Sequence, residues 1–135
     1  MPFILDNSVS SGWFIENQAT PYSAAVALRL REDTAWVPAL WVMEFTNVLR
    51  TACKRRQIIA ANAQSIITEI GRLPITIDEQ TPAPANLLAL ALRYDLSSYD
   101  AAYLELALRL QLPIATQDAL LQEAAGAAGV GVLAV

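Results

Sequence analysis

Short apolar runs alternating with longer stretches of helical periodicity constrain this chain more than any other feature. The runs fall at residues 2–6, 35–37, 74–77, 113–116 and 129–135, each bounded by turn-forming or helix-starting residues. Between them lie stretches that read as helices, at 9–16, 22–31, 39–56, 60–72, 84–94, 98–110 and 120–125. In the longest, Trp41, Phe45, Val48, Leu49 and Ala52 recur at steps of three or four, the period of one helix face. Thr20-Pro21 supplies a cap and first turn for the second helix, and Gly71 closes the fourth. The run at 74–77 alternates little and is expected to be buried. Strands separated by helices pair in parallel, because the crossover returns the chain to the same end of the sheet. The expected architecture is α/β, with helices on both faces of a parallel sheet and right-handed connections.

No Gly-, Ser- or Pro-rich linker divides the 135 residues, so residues 1–135 read as one domain. With 55% apolar residues the chain has enough material for a core. The net charge of -4 argues against a general nucleic-acid coat, which is normally basic, but not against a nuclease whose cations offset its own acids. No apolar run approaches the ~18 residues of a membrane span. Asp6 interrupts the N-terminal run too early for a signal peptide, and a cytoplasmic location is expected. Cys53 has no partner for a disulfide, and with no His in the chain nothing of that type is present to activate its thiol.

Chemistry therefore falls to carboxylates, and four stand out. Asp6 ends the first strand, and in open parallel sheets ligands bind beyond the carboxyl ends of strands. It is also a competent helix cap, although Ser8 stands ready for that task. Glu44 interrupts the apolar stretch Trp41-Val42-Met43-Glu44-Phe45, where a charge costs desolvation unless paired or bound to a cation. Asn47, three residues on, is placed to hold it, with Arg50 and Lys54 as rival ion-pair partners. Asp100 lies three residues after Ser97, a capping-box spacing, and Asp118 follows the fourth strand, with Thr116 able to cap the next helix. Asp95 reads as solvated, and Glu105 as facing away from Asp100. If the first and fourth strands are neighbours, Asp6 and Asp118 meet, and their repulsion invites a cation. Oxygen-only ligation suits Mg²⁺ or Mn²⁺ and not Zn²⁺. Arg50, Lys54, Arg55 and Arg56 cluster at one helix end, where the helix dipole favours cations and a phosphate could also bind. The aromatics Trp13, Phe14, Trp36 and Trp41 read as core or partner interface.

Four segments together resemble the signature blocks of PIN-domain ribonucleases, and most of all the short VapC-like toxins of bacterial toxin–antitoxin pairs. They are Leu5-Asp6-Asn7-Ser8-Val9, the helix from Trp41 to Leu49, the segment from Leu96 to Ala107 and Ile114-Ala115-Thr116-Gln117-Asp118-Ala119-Leu120. The resemblance implies a three-layer α/β/α sandwich on a five-stranded parallel sheet of order 3-2-1-4-5. It implies metal-dependent endonucleolytic cleavage of RNA, with Asp6, Glu44, Asp100 and Asp118 binding Mg²⁺ or Mn²⁺ and Asn47 and Thr116 supporting them. It also implies a cognate antitoxin, laid along exposed apolar surface near Trp13, Phe14, Trp36, Trp41 and Val42, and a homodimer or a toxin–antitoxin hetero-oligomer. Asp95 departs from the family pattern, standing where a small turn residue is usual.

Two other readings compete. A phosphatase of the aspartyl-phosphate type wants a second Asp two residues after Asp6, where Ser8 stands, and a late Lys, whereas the only Lys is Lys54. A non-catalytic binding module on the same fold is the stronger alternative, because fold does not dictate activity.

Overall fold

The computed structural model describes residues 1–135. Phe3–Leu5 forms strand β1, whose three side chains are all 0% exposed. Successive strand residues point to opposite faces, so both faces of the sheet are covered here. A short helix α1 (Asn7–Ser10) follows, then two single 3₁₀ turns at Ser11–Trp13 and Glu16–Gln18. The remaining elements are α2 (Pro21–Arg29), β2 (Ala35–Val37), α3 (Leu40–Lys54), α4 (Ala60–Ile70), β3 (Ile75–Ile77), α5 (Pro84–Tyr94), α6 (Ser98–Leu110), β4 (Ile114–Ala115) and α7 (Ala119–Ala128).

All strand pairs are parallel, in the order β3-β2-β1-β4, with Ile4 flanked by Trp36 on one side and Ile114 on the other. The chain winds outward from β1 to β3, then crosses back to lay β4 on the free side of β1. The order reverses between β1 and β4, the position at which open parallel sheets place a ligand crevice beyond the carboxyl ends of their strands. Helix α6 packs on β1 and β4 and buries Ala101, Ala102, Tyr103, Leu104, Leu106 and Ala107, which fixes its first turn above that crevice.

The sheet has four strands, not the expected five. The segment 129–135 meets the sheet edge through one bridge, Ile114 to Val132, framed by hydrogen bonds from Ile114 N–H to Gly131 O (3.0 Å) and Leu133 N–H to Ile114 O (2.9 Å). Gly129 and Gly131 adopt φ of 87° and 78°, outside the extended region, so the ladder cannot propagate. Strand β3, expected to be buried, is an edge strand, and Ile77 is 43% exposed.

The expected helix at 9–16 breaks into α1 and the 3₁₀ turns. Gly12 shows why: a Cβ there would stand 2.8 Å from both the Gln18 carbonyl oxygen and the Ser23 hydroxyl. The turns fold back tightly against the start of α2, where Thr20 and Ser23 form a reciprocal capping box ahead of Pro21. Helix α7 begins at Ala119, one residue before the expected start, and its cap is Asp118, not Thr116. Helices α5 and α6 have the expected bounds. Trp41, read as core or partner interface, belongs to the core: it is 6% exposed, stacks on Phe45 with centroids 5.2 Å apart and donates to the Ser10 hydroxyl. Trp13, Phe14 and Trp36 are half-buried against the same core, while Val42 is exposed. No helix is long and apolar enough to cross a membrane.

Candidate active site

Each of the four carboxylates is carried to the crevice by a different element. Asp6 follows β1 directly at the cap position of α1, yet it makes no side-chain cap bond. Its Oδ2 instead accepts from the hydroxyls of Ser8 and Thr116, both at 2.7 Å. Each hydroxyl is itself oriented by the chain after β4: Gln117 N–H donates to Ser8 Oγ (3.0 Å), and Asp118 N–H donates to Thr116 Oγ1 (3.1 Å). A hydroxyl that accepts from an amide turns its own proton elsewhere, and here both protons point at Asp6. Asp6 is 6% exposed, and burial is the largest influence raising its pKa, with Asp118 adding and the two hydroxyls opposing.

Glu44 lies on α3, half-buried, at the edge of the face formed by Trp41, Phe45, Leu49 and Ala52. Its partner is Tyr103 of α6, whose hydroxyl donates to Oε1 at 2.6 Å. Asn47, expected to hold Glu44, is exposed and forms no hydrogen bond to it. The reason lies in the packing, since only the inward side of Glu44 meets another element. Burial raises the Glu44 pKa most, and the charges of Asp6 and Asp100 add to it. The Tyr103 hydroxyl, buried beside two carboxylates, is held far above its ordinary value.

Asp100 sits in the first turn of α6, where Ser97 Oγ accepts from its amide (3.1 Å). Its carboxylate does not reach back, so the box suggested by the spacing is half formed. It is pushed up to about 6 by burial, then by Asp118 and Asp6. Asp118 caps α7 through Oδ2 and Leu121 N–H (2.9 Å). None of the four acids is in a salt bridge. The acids that do pair lie elsewhere: Asp33 meets Arg29 and the N-terminal ammonium, and Asp78 and Glu105 share Arg109. Asp95, in the left-handed region at the end of α5, is exposed and outside the cluster.

An all-oxygen, uncompensated acidic set matches the donor chemistry of a hard divalent cation. As placed, no three of these groups form a ready-made cation cage, so ligation would require side-chain rotation. Sequence reasoning missed Ser8 and Tyr103 as members of the site. Both lie inside the segments that carry the family resemblance, but what fixes each is distant in sequence: the Gln117 amide for the Ser8 hydroxyl and Glu44 for Tyr103.

The PIN domain family model matches residues 3–127. Ribonuclease VapC12 of Mycobacterium tuberculosis is 31% identical over 107 residues, spanning 79% of this chain and 81% of its own length. Ribonuclease VapC1 of the same organism is 32% identical over 108 residues, spanning 77% and 79%. The crystal structure of PAE2754 from Pyrobaculum aerophilum aligns with a TM-score of 0.60 over 92% of this chain and 84% of that one, at 15% identity, a likeness of fold.

Proposed function

This chain belongs to the PIN-domain family, and on that premise we propose that it is the endoribonuclease toxin of a toxin–antitoxin pair. In this reading it hydrolyses RNA phosphodiester bonds with Mg²⁺ or Mn²⁺ held by Asp6, Glu44, Asp100 and Asp118. The observation that carries the reading is the gathering of four unpaired carboxylates, from four elements, at the point where the strand order reverses. The relatives named ribonucleases, matched over most of their length, support the same conclusion.

When bound, the cation supplies an acidified water and offsets phosphate charge. The chain's own residues do the rest. Ser8 and Thr116 hold Asp6 in one orientation, and Tyr103 does so for Glu44. Asp100 accepts no hydrogen bond on its carboxylate and is free to take a proton from the attacking water. Thr116 therefore acts as a positioning residue, and Asn47 plays no part in holding Glu44. The buried sheet beneath fixes the backbone from which these side chains turn toward the cation. The partners that follow from this reading are RNA and a cognate antitoxin that silences the site, in a homodimer or a toxin–antitoxin hetero-oligomer.

The test is cleavage of single-stranded RNA with Mn²⁺ present. Asp100→Asn should lower the rate by at least about a hundredfold, the scale of losing a positioned proton acceptor, while Asp95→Asn retains it. Equal loss in both variants, or no cleavage by the wild type, would overturn the assignment and leave a binding module on this fold.

A further inference from the structure

Four of the nine Lys and Arg residues of this acidic chain fall between positions 50 and 56. Arg50, Lys54, Arg55 and Arg56 are all exposed, and none is paired with a carboxylate. Dipole complementarity accounts for Lys54 in the last turn of α3, but Arg55 and Arg56 lie beyond the helix. Arg56 is held at φ 60°, in the left-handed region where glycine is favoured, while Gln57 N–H closes the turn on Ala52 O (2.9 Å). Asp95 and Gln111 end α5 and α6 in the same conformation, so the turn places Arg56 beyond the helix without itself requiring an arginine.

The helix also connects this tip to the acids. Glu44, Asn47, Thr51 and Lys54 are spaced by three, four and three residues, so they line one edge of α3. The edge is polar throughout, with Asn47 and Lys54 exposed and Thr51 half-buried. Lys54 lies about 15 Å along the axis from Glu44, at the ordinary helical rise. A single strand of nucleic acid leaving the acid crevice along this edge meets amide and hydroxyl groups first and unpaired cations afterwards.

We propose that the edge Glu44–Asn47–Thr51–Lys54 is the path of the RNA strand, and that Lys54, Arg55 and Arg56 bind its backbone phosphates a few nucleotides from the scissile bond. The proposal rests on the ribonuclease reading and adds an anchoring site to it. The chemistry favours RNA over an acidic protein segment because the cations continue a polar edge that begins at an acid of the catalytic cluster. Phosphates supply regularly spaced charge along such a track.

The experiment measures binding of a short single-stranded RNA to the Asp100→Asn protein across a salt series, and steady-state cleavage by the otherwise native chain. Lys54→Glu/Arg55→Glu should weaken binding at least about tenfold and flatten the slope of log affinity against log salt by roughly 1.4, two single-strand phosphate contacts. In cleavage, KM should rise about tenfold with kcat changed less than twofold, and Lys54→Arg/Arg55→Lys should restore both. Arg56→Gly should raise the thermal midpoint while weakening RNA binding, an opposition that a structural arginine would not show. Unchanged affinity and slope in Lys54→Glu/Arg55→Glu, with cleavage intact, would overturn the anchor and leave the ribonuclease reading standing. So would loss of binding to an acidic partner protein alone. Salt-dependent RNA binding that needs these residues, without any cleavage by the wild type, would sustain the anchor and sink the ribonuclease.

Discussion

Desolvation, more than mutual repulsion, sets the charge state of the acids in the crevice. It is the first cause for Asp6, Glu44 and Asp100 alike, with neighbouring carboxylates adding less. Asp100 is the case with the fewest compensations, since its carboxylate receives no hydrogen bond and is pushed up to about 6. A carboxyl group raised above its unfolded value of 3.8 favours folding when protonated. Its stabilising contribution is complete below pH 3.8 and is lost as pH rises through about 6. The metal-free protein at neutral pH therefore carries a destabilising charge that Asp100→Asn removes. Allowing for solvent screening at a half-buried site, the relief is about 1 kcal/mol, a few degrees in thermal midpoint. Thermal melts in chelator should show the Asp100→Asn protein more stable than wild type at about pH 7.5, with the advantage gone at about pH 3.5. An advantage independent of pH would mean that packing, not charge, is responsible.

Helix starts, at the scale of elements, deliver the acids. Asp6 stands at the start of α1, Asp100 in the first turn of α6 and Asp118 at the cap of α7, each near the positive end of a helix. The same position that suits a cap also aims a carboxylate over the sheet edge, so structural and chemical roles overlap. They can be separated at α6, where Ser97 does the capping and Asp100 is left free. Ser97→Ala should cost about 1 kcal/mol of stability through the lost cap. It should reduce RNA cleavage several-fold by loosening the first turn that carries Asp100, with the larger share in kcat. Chemical denaturation and steady-state kinetics on the same preparation check both. A stability loss with wild-type kcat would show that the first turn is held by the packing of Ala101 and Tyr103 and not by its cap.

On the scale of the whole molecule, the crevice is a store of like charge built over a rigid floor. Every side chain of β1 is buried, Thr116 is 0% exposed, and the core of 27 buried residues runs beneath. A cation that binds only the folded state should stabilise it by mass action, about 2.7 kcal/mol at a hundredfold excess over Kd. Mn²⁺ should therefore raise the thermal midpoint of the wild type, and Asp6→Asn should blunt the response at equal Mn²⁺. A flat titration of the wild type would remove the metal from the proposed function.

The chain pattern alone determined the α/β class, the order of helices and strands from β1 to α7 and the capping by Thr20 and Ser97, and it singled out the four acids proposed as the site. Those are local or periodic properties: a short apolar run between turn residues, a three-or-four-residue spacing, a polar residue before a helix, an acid where an apolar residue would be cheaper. Tertiary structure decided what rests on distant neighbours. Tyr103 is 59 residues from Glu44, and Thr116 is 110 from Asp6, so no local pattern marks them as partners. Asn47 had the right spacing and the wrong direction, because Glu44 turns inward to α6 and Asn47 outward to solvent. The C-terminal run 129–135 had strand-like composition, yet two glycines at positive φ limit it to a single bridge. β3 looked like a buried strand, but its burial depended on a neighbour that the sheet does not provide. Helix and strand type follow from a residue's near neighbours in the chain, whereas burial, hydrogen-bond partner and charge state follow from whatever the fold brings against it.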